Sequence, residues 1–368
     1  MENAGRAVSV LTYSDEGSPI RGIGKLDWKF MKKRRKRRGQ SPRRKAGWII
    51  GVVLIAAILA FVAGNAIENR GESTKPGSVG NRFDDVTVVY DDTTYRYRKN
   101  EITTVLFMGV DTEAEGDQVG VGFRNGGQSD FLLLLIIDGG REQVIPLQID
   151  RDTMTEITIL GAFGNYAGTN NAQICLSHGF GDGGAQSCEF AVQAVSTLLY
   201  GVDIDFYVAM NLDGIAALND AVGGVTVTLK DDFTEYDPQM TAGTTLTLQG
   251  EQAEYYVRSR RYVGEQTNAS RMVRQREYMN QLATLFDARE RENKNYVGEL
   301  FDMLEPYLNT DMKRGRMINE AWKARNYERA ETVSPAGEHT IGTDGFIEFH
   351  ADQEALEELV LELFYEPV

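Results

Sequence analysis

One uncharged apolar segment divides the chain into two parts. Residues 46–67 contain 22 positions without Asp, Glu, Lys or Arg. At roughly 1.5 Å of rise per residue, a helix of this length crosses the ~30 Å hydrocarbon layer of a bilayer, and Trp48 would lie at one interface. The segment therefore predicts a single transmembrane helix at 46–67.

The charge on either side of this segment predicts its orientation. Residues 1–45 carry 14 Lys and Arg against four acids, with basic runs at 32–38 and 43–45. Basic residues accumulate on the cytoplasmic side of membrane helices. We expect 1–45 to be a basic cytoplasmic tail, and the rest to be extracytoplasmic and held at the cell membrane. A cleaved signal peptide, whose apolar core is only about 7–15 residues, and a nucleic-acid-binding run are the less favoured alternatives.

The sequence after the anchor predicts a short stalk and one folded domain. Residues 68–82 are polar, with Gly, Ser and one Pro, and read as a flexible stalk. From residue 83 to 368, strand and helix patterns alternate without a second linker, which predicts an α/β fold with a layered mixed β-sheet flanked by helices. Strands are expected at 86–97 (a hairpin), 103–108, 131–137, 143–149, 206–210 and 225–229, and helices at 189–199, 213–221, 250–257, 268–291, 313–326 and 353–364.

The cysteines and histidines give weaker signals. Cys175 and Cys188 flank a glycine-rich stretch that can bend, so a disulfide between them is possible in an oxidising compartment, and free thiols are equally compatible. His178, His339 and His350 are scattered, which gives poor support to a zinc site or a Ser-His-Asp hydrolase. No CxxC motif occurs in the chain.

Arginines concentrate in an otherwise acidic region. Beyond residue 67 the chain has 25 Lys and Arg against 50 Asp and Glu, yet Arg258, Arg260, Arg271 and Arg274 lie within 17 positions. A guanidinium presents a planar fork of donors that matches phosphate oxygens, so several forks at one point suit a diphosphate. The alternative is an amphipathic helix whose arginine face binds no ligand.

Two aspartates lie at predicted strand ends. Asp111 follows the strand at 103–108, and Asp130 precedes the strand at 131–137. Carboxylates at strand ends commonly hold hard cations, and Mg²⁺ often bridges one or two carboxylates to substrate phosphates. Each aspartate alone is more often a turn residue or cap, so the pair gains meaning only beside the arginines.

Seven spaced motifs together resemble the LytR-CpsA-Psr family. They are GVD at 109–111, SD at 129–130, IDRDT at 149–153, DAVGGVTV at 220–227, LQGEQA at 248–253, VRSR at 257–260 and RMVRQ at 271–275. The resemblance implies a Mg²⁺-dependent phosphotransferase that moves a glycopolymer from a polyprenyl-diphosphate carrier onto a peptidoglycan hydroxyl during cell-wall assembly. Nucleic acid is not an expected partner.

The resemblance also implies roles for particular residues. Asp111 and Asp130 look like the metal-side carboxylates, and with Arg151 and Arg271 they make up the expected catalytic set. The expected diphosphate-binding set is Arg151, Arg258, Arg260, Arg271, Arg274 and Gln275. In the same interpretation the apolar run at 132–137 forms one wall of a slot for the isoprenoid tail, although ordinary core packing explains such a run as well.

Three positions depart from the family pattern. Gln128 stands where an arginine is common, Asp150 where a proline is common, and Asn268 where an aspartate is common. Asn268 cannot act as a base, and Asp150 is a candidate to supply the lost carboxylate. These departures leave two alternatives: a non-catalytic protein that binds polyprenyl-linked glycans, and a polyprenyl-diphosphate pyrophosphatase. A glycine-rich dinucleotide loop at 179–184 is poorly supported because no clean apolar strand precedes it.

Overall fold

The computed structural model describes residues 7–13, 19–25, 86–112, 126–161, 163–293 and 295–368. The predicted transmembrane helix at 46–67 and the stalk at 68–82 lie outside these ranges. Among the helices that are described, none combines the length and the apolar composition needed to cross a bilayer. In the basic tail, two strands that the sequence did not predict pair antiparallel, from Ala7 opposite Lys25 to Tyr13 opposite Pro19.

The secondary structure alternates as expected for an α/β fold. In chain order the strands are β1 (Ala7–Tyr13), β2 (Pro19–Lys25), β3 (Thr87–Tyr90), β4 (Thr93–Tyr97), β5 (Ile102–Val110), β6 (Ser129–Asp138), β7 (Gln143–Ile149), β8 (Met154–Leu160), β9 (Tyr166–Gln173), β10 (Phe206–Met210), β11 (Thr226–Thr228), β12 (Thr245–Thr247), β13 (Leu308–Thr310), β14 (Glu328–Arg329), β15 (Gly337–Ile341), β16 (Ile347–Ala351) and β17 (Tyr365–Pro367). The α-helices are α1 (Leu176–Gly179), α2 (Ala185–Leu198), α3 (Leu212–Ala221), α4 (Glu251–Arg258), α5 (Asn268–Glu292), α6 (Tyr296–Leu304), α7 (Arg314–Ala324) and α8 (Gln353–Phe364).

A six-stranded mixed sheet forms the centre of the domain. Its order is β13-β10-β5-β6-β7-β14, with β6 antiparallel to both β5 and β7, and β10 parallel to β5. Strand β6 is apolar at every position from 132 to 137 because both faces of the sheet are covered. At about 1.5–3 kcal/mol for each fully buried Leu or Ile, this strand contributes a large share of the core.

Helices cover the sheet on both sides and produce the predicted layers. Leu133 and Leu135 belong to a core shared with α3 to α7, whereas Leu132 and Leu134 belong to a second core shared with α2 and α8. Successive residues of a strand point to opposite faces, so one strand feeds both cores. The prediction of a mixed sheet flanked by helices is therefore confirmed.

Several elements were not predicted from the sequence. The hairpins β8–β9 and β15–β16 and helix α6 received no assignment, and the helix expected at 189–199 begins four residues earlier, at Ala185. Strand β9 has the sequence YAGTNNAQ and is mostly exposed, so it lacks the alternation of apolar and polar residues that marks a half-buried strand. Its pairing with β8 stabilises it instead.

The possible disulfide between Cys175 and Cys188 is not formed. Both cysteines are buried free thiols. Cys175 Sγ lies 3.0 Å from Arg151 Nη2, and Cys188 Sγ lies 3.8 Å from His178 Nε2. The stretch between the cysteines forms helix α1 and the turn before α2. The two sulfurs therefore have different neighbours.

A buried ion pair stabilises the sheet at the end opposite Asp130. The side chains of Arg98 and Asp138 are 2% and 0% exposed, and the guanidinium donates two hydrogen bonds of 2.7 and 2.6 Å to the carboxylate. Burial acts to raise the pKa of Asp138, but the hydrogen bonds from Arg98 and from the Arg141 N–H outweigh it and lower the pKa. Folding stability from this pair is therefore present at neutral pH and is lost as pH falls through the lowered pKa.

We expect Arg98→Ala to lower the free energy of unfolding by about 3–5 kcal/mol, because it leaves the Asp138 carboxylate buried without its partner. The matched control is Arg96→Ala, two positions away, where an exposed arginine pairs with Glu366. Such a surface pair is worth about 0–1 kcal/mol. Denaturant unfolding of both variants measures the difference, and equal losses of stability would contradict the importance of the buried pair.

Candidate active site

Three strand ends meet at one edge of the central sheet. Because β6 is antiparallel to β5 and to β7, the carboxyl ends of β5 and β7 lie beside the amino end of β6. These ends carry Asp111, Asp130 and the turn 150–153. Two helix ends approach the same place, the last turn of α4 with Arg258 and the first turn of α5 with Arg271.

A bulge in β6 sets the position of Asp130. Gly109 pairs with Phe131 and Val110 pairs with Ser129, so Asp130 is the extra residue between them. A bulge of this kind re-aims the side chain of the unpaired residue. Gly109 permits the close approach of the two strands, because a Cβ at this position would lie 3.1 Å from the Cβ of Phe131.

Two guanidinium groups converge on the Asp130 carboxylate. Arg151 Nη1 donates to Oδ1, and Arg271 Nη1 donates to Oδ2 at 3.0 Å. Arg271 is 2% exposed, and burial lowers its pKa although Asp130 opposes that effect. The carboxylate thus compensates two cations, the buried Arg271 and the partly buried Arg151, that would otherwise repel each other. The structure brings together three of the four expected catalytic residues.

Asp111 lies beside this group at the end of β5. Its Oδ1 accepts the N–H of Gln128. Burial raises the pKa of Asp111, and the charge of Asp130 raises it further, while the Gln128 N–H, Arg151 and Arg258 act in the opposite direction. Mg²⁺ is a hard cation that takes carboxylate oxygens as ligands, and Asp111 and Asp130 offer ligands of that type. In that respect the residues present fit the expected ion.

Gln128 occupies a position from which it orients Arg151. Its Oε1 accepts a hydrogen bond from Arg151 Nη2, and the same nitrogen lies 3.0 Å from Cys175 Sγ. Arg151 is therefore held on three sides, by Asp130, Gln128 and Cys175. An arginine at 128 would place another positive charge here, so the glutamine makes the site less cationic.

Asn268 and Asp150 form a buried hydrogen-bonded chain behind Arg271. Asn268 Oδ1 accepts from Arg271 Nε at 3.0 Å, and Asn268 Nδ2 donates to Asp150 Oδ1 at 2.6 Å. Asp150 Oδ2 in turn lies 3.0 Å from His339 Nε2. Thr267 caps the helix by accepting the N–H of Ser270, which fixes where α5 begins. The carboxylate of Asp150 therefore reaches the arginine through an amide.

Arg258 and Arg260 lie closer to solvent. The Arg258 side chain is 44% exposed, donates to Glu254 at 2.8 Å and lines the same cavity as Arg271 and Asp130. The Arg260 side chain is 36% exposed, and its Nη1 lies 3.9 Å from Asp152 Oδ2. Both guanidiniums face the site and are free to change partners more readily than the buried Arg271.

Arg274 and Gln275 do not present free donors at the site. Arg274 lies outside the cavity lining, and its guanidinium donates to the carbonyls of Tyr256 and Ser259. Gln275 lines the cavity, but its Nε2 donates to the Val257 carbonyl at 3.2 Å. The expected contact of Arg274 with a diphosphate stays a prediction; in the structure this arginine connects α5 to the end of α4 and pairs with Asp231 at 3.4 Å.

An apolar cavity opens beside the charged residues. The space within it, counted together with the solvent at its open mouth, is about 800 Å³. Arg258, Arg271, Gln275 and Asp130 are its polar lining residues, and the apolar ones are Phe107, Met108, Phe131, Met210, Leu212, Ile215, Leu218, Val257, Tyr278 and Met279, with Gly109. The run at 132–137 is absent from this lining and is buried in the two cores, so its expected role as a wall of the slot is wrong.

Sequence reasoning missed His339 and Gln148. Gln148 is 1% exposed and connects Gln275 to Arg276, while His339 reaches Asp150 from the β15–β16 hairpin. His339 follows Asp150 by 189 positions, and no spacing in the chain links the two residues. The sequence held a weak signal for Gln148, because it is the only polar residue in the otherwise apolar stretch 144–149 of β7.

We expect Asp111→Asn to raise the melting temperature in buffer without divalent cations, by about 1–3 °C for a domain of this size. The pKa of Asp111 is raised in the folded protein. Between the ordinary aspartate pKa and this raised pKa, the folded protein therefore binds more protons than the unfolded chain. The free energy of unfolding falls as pH rises through this range. The asparagine removes this penalty. Added Mg²⁺ should then stabilise the parent protein and not the variant.

Thermal unfolding followed by circular dichroism measures both effects. Asp302→Asn is the matched control, because Asp302 is an exposed residue of α6. A parent protein that gains nothing from Mg²⁺, or a variant that gains as much as the parent, would contradict a cation site at Asp111.

Comparisons with known proteins identify relatives in sequence and in fold. Relatives include the polyisoprenyl-teichoic acid–peptidoglycan teichoic acid transferase TagU of Halalkalibacterium halodurans, 27% identical over 291 residues that cover 77% of this chain and 86% of the relative. Among solved structures, Bacillus subtilis TagV is 22% identical with a TM-score of 0.53, over 72% of this chain and 96% of that one. TagT bound to LI-WTA is 20% identical with a TM-score of 0.51, over 72% and 89%. These two structures share the fold.

The match to the family itself covers most of the sequence. The profile of the LytR_cpsA_psr family aligns with residues 62–364, and the aligned region contains all seven motifs and every residue of the site described above. Well over half of the chain is matched. This protein belongs to the LytR_cpsA_psr family.

Proposed function

We propose that this protein is a membrane-anchored phosphotransferase that moves a glycopolymer from a polyprenyl-diphosphate carrier onto a hydroxyl group of peptidoglycan. The observation that carries the proposal is the apolar cavity whose polar residues are Arg258, Arg271, Gln275 and Asp130. A ligand with a long apolar chain and a compact anionic head matches such a cavity. The name of the TagU relative, a teichoic acid transferase to peptidoglycan, supports the same class of reaction.

The donor is recognised through two kinds of contact. The isoprenoid chain lies against apolar residues such as Phe131, Met210 and Ile215, where its removal from water contributes about 25 cal/mol per Å². The diphosphate lies at the charged end of the cavity, where Arg258 and Arg271 donate charge-assisted hydrogen bonds. Arg151, which contacts Asp130, and Arg260, which lies near Asp152, complete the set. The apolar and charged contacts together select a lipid-linked diphosphate over a soluble one.

Mg²⁺ is the expected cofactor, and Asp111 and Asp130 are the residues that would hold it. When bound, the ion neutralises charge on the phosphate oxygens. The protein contributes the arrangement around it. Arg271 is kept in place by Asn268 and Asp150, so its donors are oriented before the substrate arrives. Preorganised donors of this kind lower the barrier because little reorganisation is needed during the reaction.

The transfer step breaks the phosphoanhydride bond of the donor and forms a new phosphate ester bond, which gives a phosphodiester. The acceptor hydroxyl oxygen attacks the phosphorus atom that bears the glycan, and the bond from that phosphorus to the bridging oxygen breaks. Polyprenyl monophosphate is the leaving group, and the hydroxyl proton is released to solvent at the open rim. Phosphoryl transfer depends mainly on positioning and charge stabilisation, so arginines and carboxylates suffice without a serine or histidine nucleophile.

The anchor predicted at 46–67 gives the reaction its location. A single membrane helix with a cytoplasmic basic tail would hold the domain at the outer surface of the cell membrane. The carrier lipid cannot leave the bilayer, so a tethered enzyme meets it at a high effective concentration. This part of the proposal depends on the sequence between residues 32 and 67.

The decisive experiment incubates the purified full-length protein with Mg²⁺, a polyprenyl-diphosphate-linked glycan and peptidoglycan fragments. Mass spectrometry follows two products, the glycan joined to peptidoglycan through a phosphodiester and the polyprenyl monophosphate. Formation of both together supports transfer. A phosphorylated glycan released into water, with acceptor present, would identify a pyrophosphatase instead. Tight donor binding without either product would identify a non-catalytic binding protein.

We expect Arg271→Ala to reduce kcat/KM for transfer by about 10²–10³-fold, the typical effect of removing one preorganised donor to a developing charge. Arg289→Ala is the matched control, since Arg289 lies on the same helix five turns away and donates to the Val222 carbonyl. Steady-state kinetics of both variants measure the contrast. Equal activity in the two variants would refute the placement of the diphosphate at Arg271.

A further inference from the structure

Two buried aspartates and one histidine converge beside the site and take no direct part in the proposed transfer. Asp150 and Asp152 are each 5% exposed, and the His339 side chain is 35% exposed. Their ligand atoms, a carboxylate oxygen from each aspartate and a ring nitrogen from the histidine, all lie within 4.8 Å of one another. Atoms that bind one Zn²⁺ at ~2.0–2.2 Å lie at most about 4.4 Å apart, so small side-chain rotations would close the group.

One of these carboxylates has an oxygen without a hydrogen-bond partner. Asp152 Oδ2 is buried and accepts no hydrogen bond from the described residues. The Nη1 of the partly exposed Arg260 lies 3.9 Å from this oxygen, which is too long for a hydrogen bond. A buried carboxylate oxygen in this state costs free energy unless it gains a partner. A bound cation between Asp152, Asp150 and His339 would supply that partner.

The backbone holds the three ligands in place before any ion binds. The N–H of Phe349 in β16 donates to the carbonyl of Asp152 at 2.7 Å, which fixes the β15–β16 hairpin against the turn 150–153. On the neighbouring strand, the His339 ring packs on Phe349 with centroids 4.9 Å apart. In the turn itself, Asp152 N donates to Asp150 Oδ1 at 2.9 Å. A site with oriented ligands binds metal more tightly than a flexible one.

We propose that Asp150, Asp152 and His339 bind a divalent transition-metal cation, separate from the pair Asp111 and Asp130. An imidazole nitrogen with two carboxylate oxygens suits Zn²⁺ or Mn²⁺, whereas Mg²⁺ prefers oxygen ligands alone. The ion takes Asp150 Oδ2, the oxygen that now contacts His339, and leaves Oδ1 bonded to Asn268. The bound ion joins the β15–β16 hairpin to the turn that carries Arg151.

The neighbouring charges are compatible with such an ion. Arg151 Nε lies 3.2 Å from Asp152 Oδ1, on the oxygen that the ion does not need. Arg260 is partly exposed, so its guanidinium can turn towards solvent or towards a phosphate when the ion replaces it at Oδ2. The two aspartates compensate the two charges of the ion. The His339 side chain is 35% exposed, so water would reach a bound ion and supply a further ligand.

The test measures metal binding and needs no transfer activity, so its outcome is independent of the proposed function. Full-length protein carrying Asp111→Ala, which weakens the other cation site, is titrated with Zn²⁺ by calorimetry and with Co²⁺ by visible absorption. We expect one equivalent of Zn²⁺ to bind with little competition from Mg²⁺. Adding His339→Ala should weaken Zn²⁺ by at least about tenfold and remove the Co²⁺ absorption band.

Two further variants make the result specific. His350→Ala is the matched control, because His350 lies on the adjacent strand and contacts Glu348 at 2.9 Å. It should bind Zn²⁺ as the Asp111→Ala parent does. Asp152→Asn keeps the side-chain shape and should lose Zn²⁺ even if His339→Ala disturbs folding, which circular dichroism reports. Absence of Zn²⁺ binding in the parent, or equal binding in the parent, His339→Ala and Asp152→Asn, overturns the proposal.

Discussion

The site depends on one carboxylate that lies between two guanidinium groups. Arg151 follows a strand and Arg271 belongs to a helix 120 positions later, and both donate to Asp130. Without that carboxylate, the two guanidinium charges, one buried and one partly buried, would repel each other at the same place. The bulge in β6 makes the contact possible, because it turns Asp130 out of the regular pairing between the strands. The apolar cavity, the arginines and the predicted cation site are all arranged around this residue.

The three departures from the family pattern form contacts in the structure. Gln128 accepts from Arg151, and Asn268 accepts from Arg271 while it donates to Asp150. A carboxylate expected directly beside Arg271 is thus replaced by an amide with a carboxylate behind it. The negative charge of Asp150 is buried nearby, with the Asn268 side chain between it and the Arg271 guanidinium. The other oxygen of Asp150 lies 3.0 Å from His339, so the same carboxylate belongs to the group of ligands proposed to bind a transition metal.

Sequence patterns predicted the central sheet well and the added hairpins poorly. The run at 132–137 is apolar at every position, which is typical of a strand buried on both faces, and it is the middle of the sheet. Strand β15 is exposed at all five positions, so it has no apolar period to detect. It is held by pairing with β16 and by a backbone hydrogen bond from Phe349 to Asp152. Such long-range contacts leave no periodic trace in the sequence.

The sequence by itself determined the α/β layering, the strand ends with Asp111 and Asp130, and the clustering of arginines, because periodicity and local spacing encode these features. Only the tertiary structure decided which of those side chains face the cavity. Arg271 and Arg274 are three positions apart on one helix, yet Arg271 donates to Asp130 and Arg274 donates to backbone carbonyls near α4. The physical reason is that a side chain's partners depend on which elements pack against its helix, and packing joins residues that lie far apart in the chain.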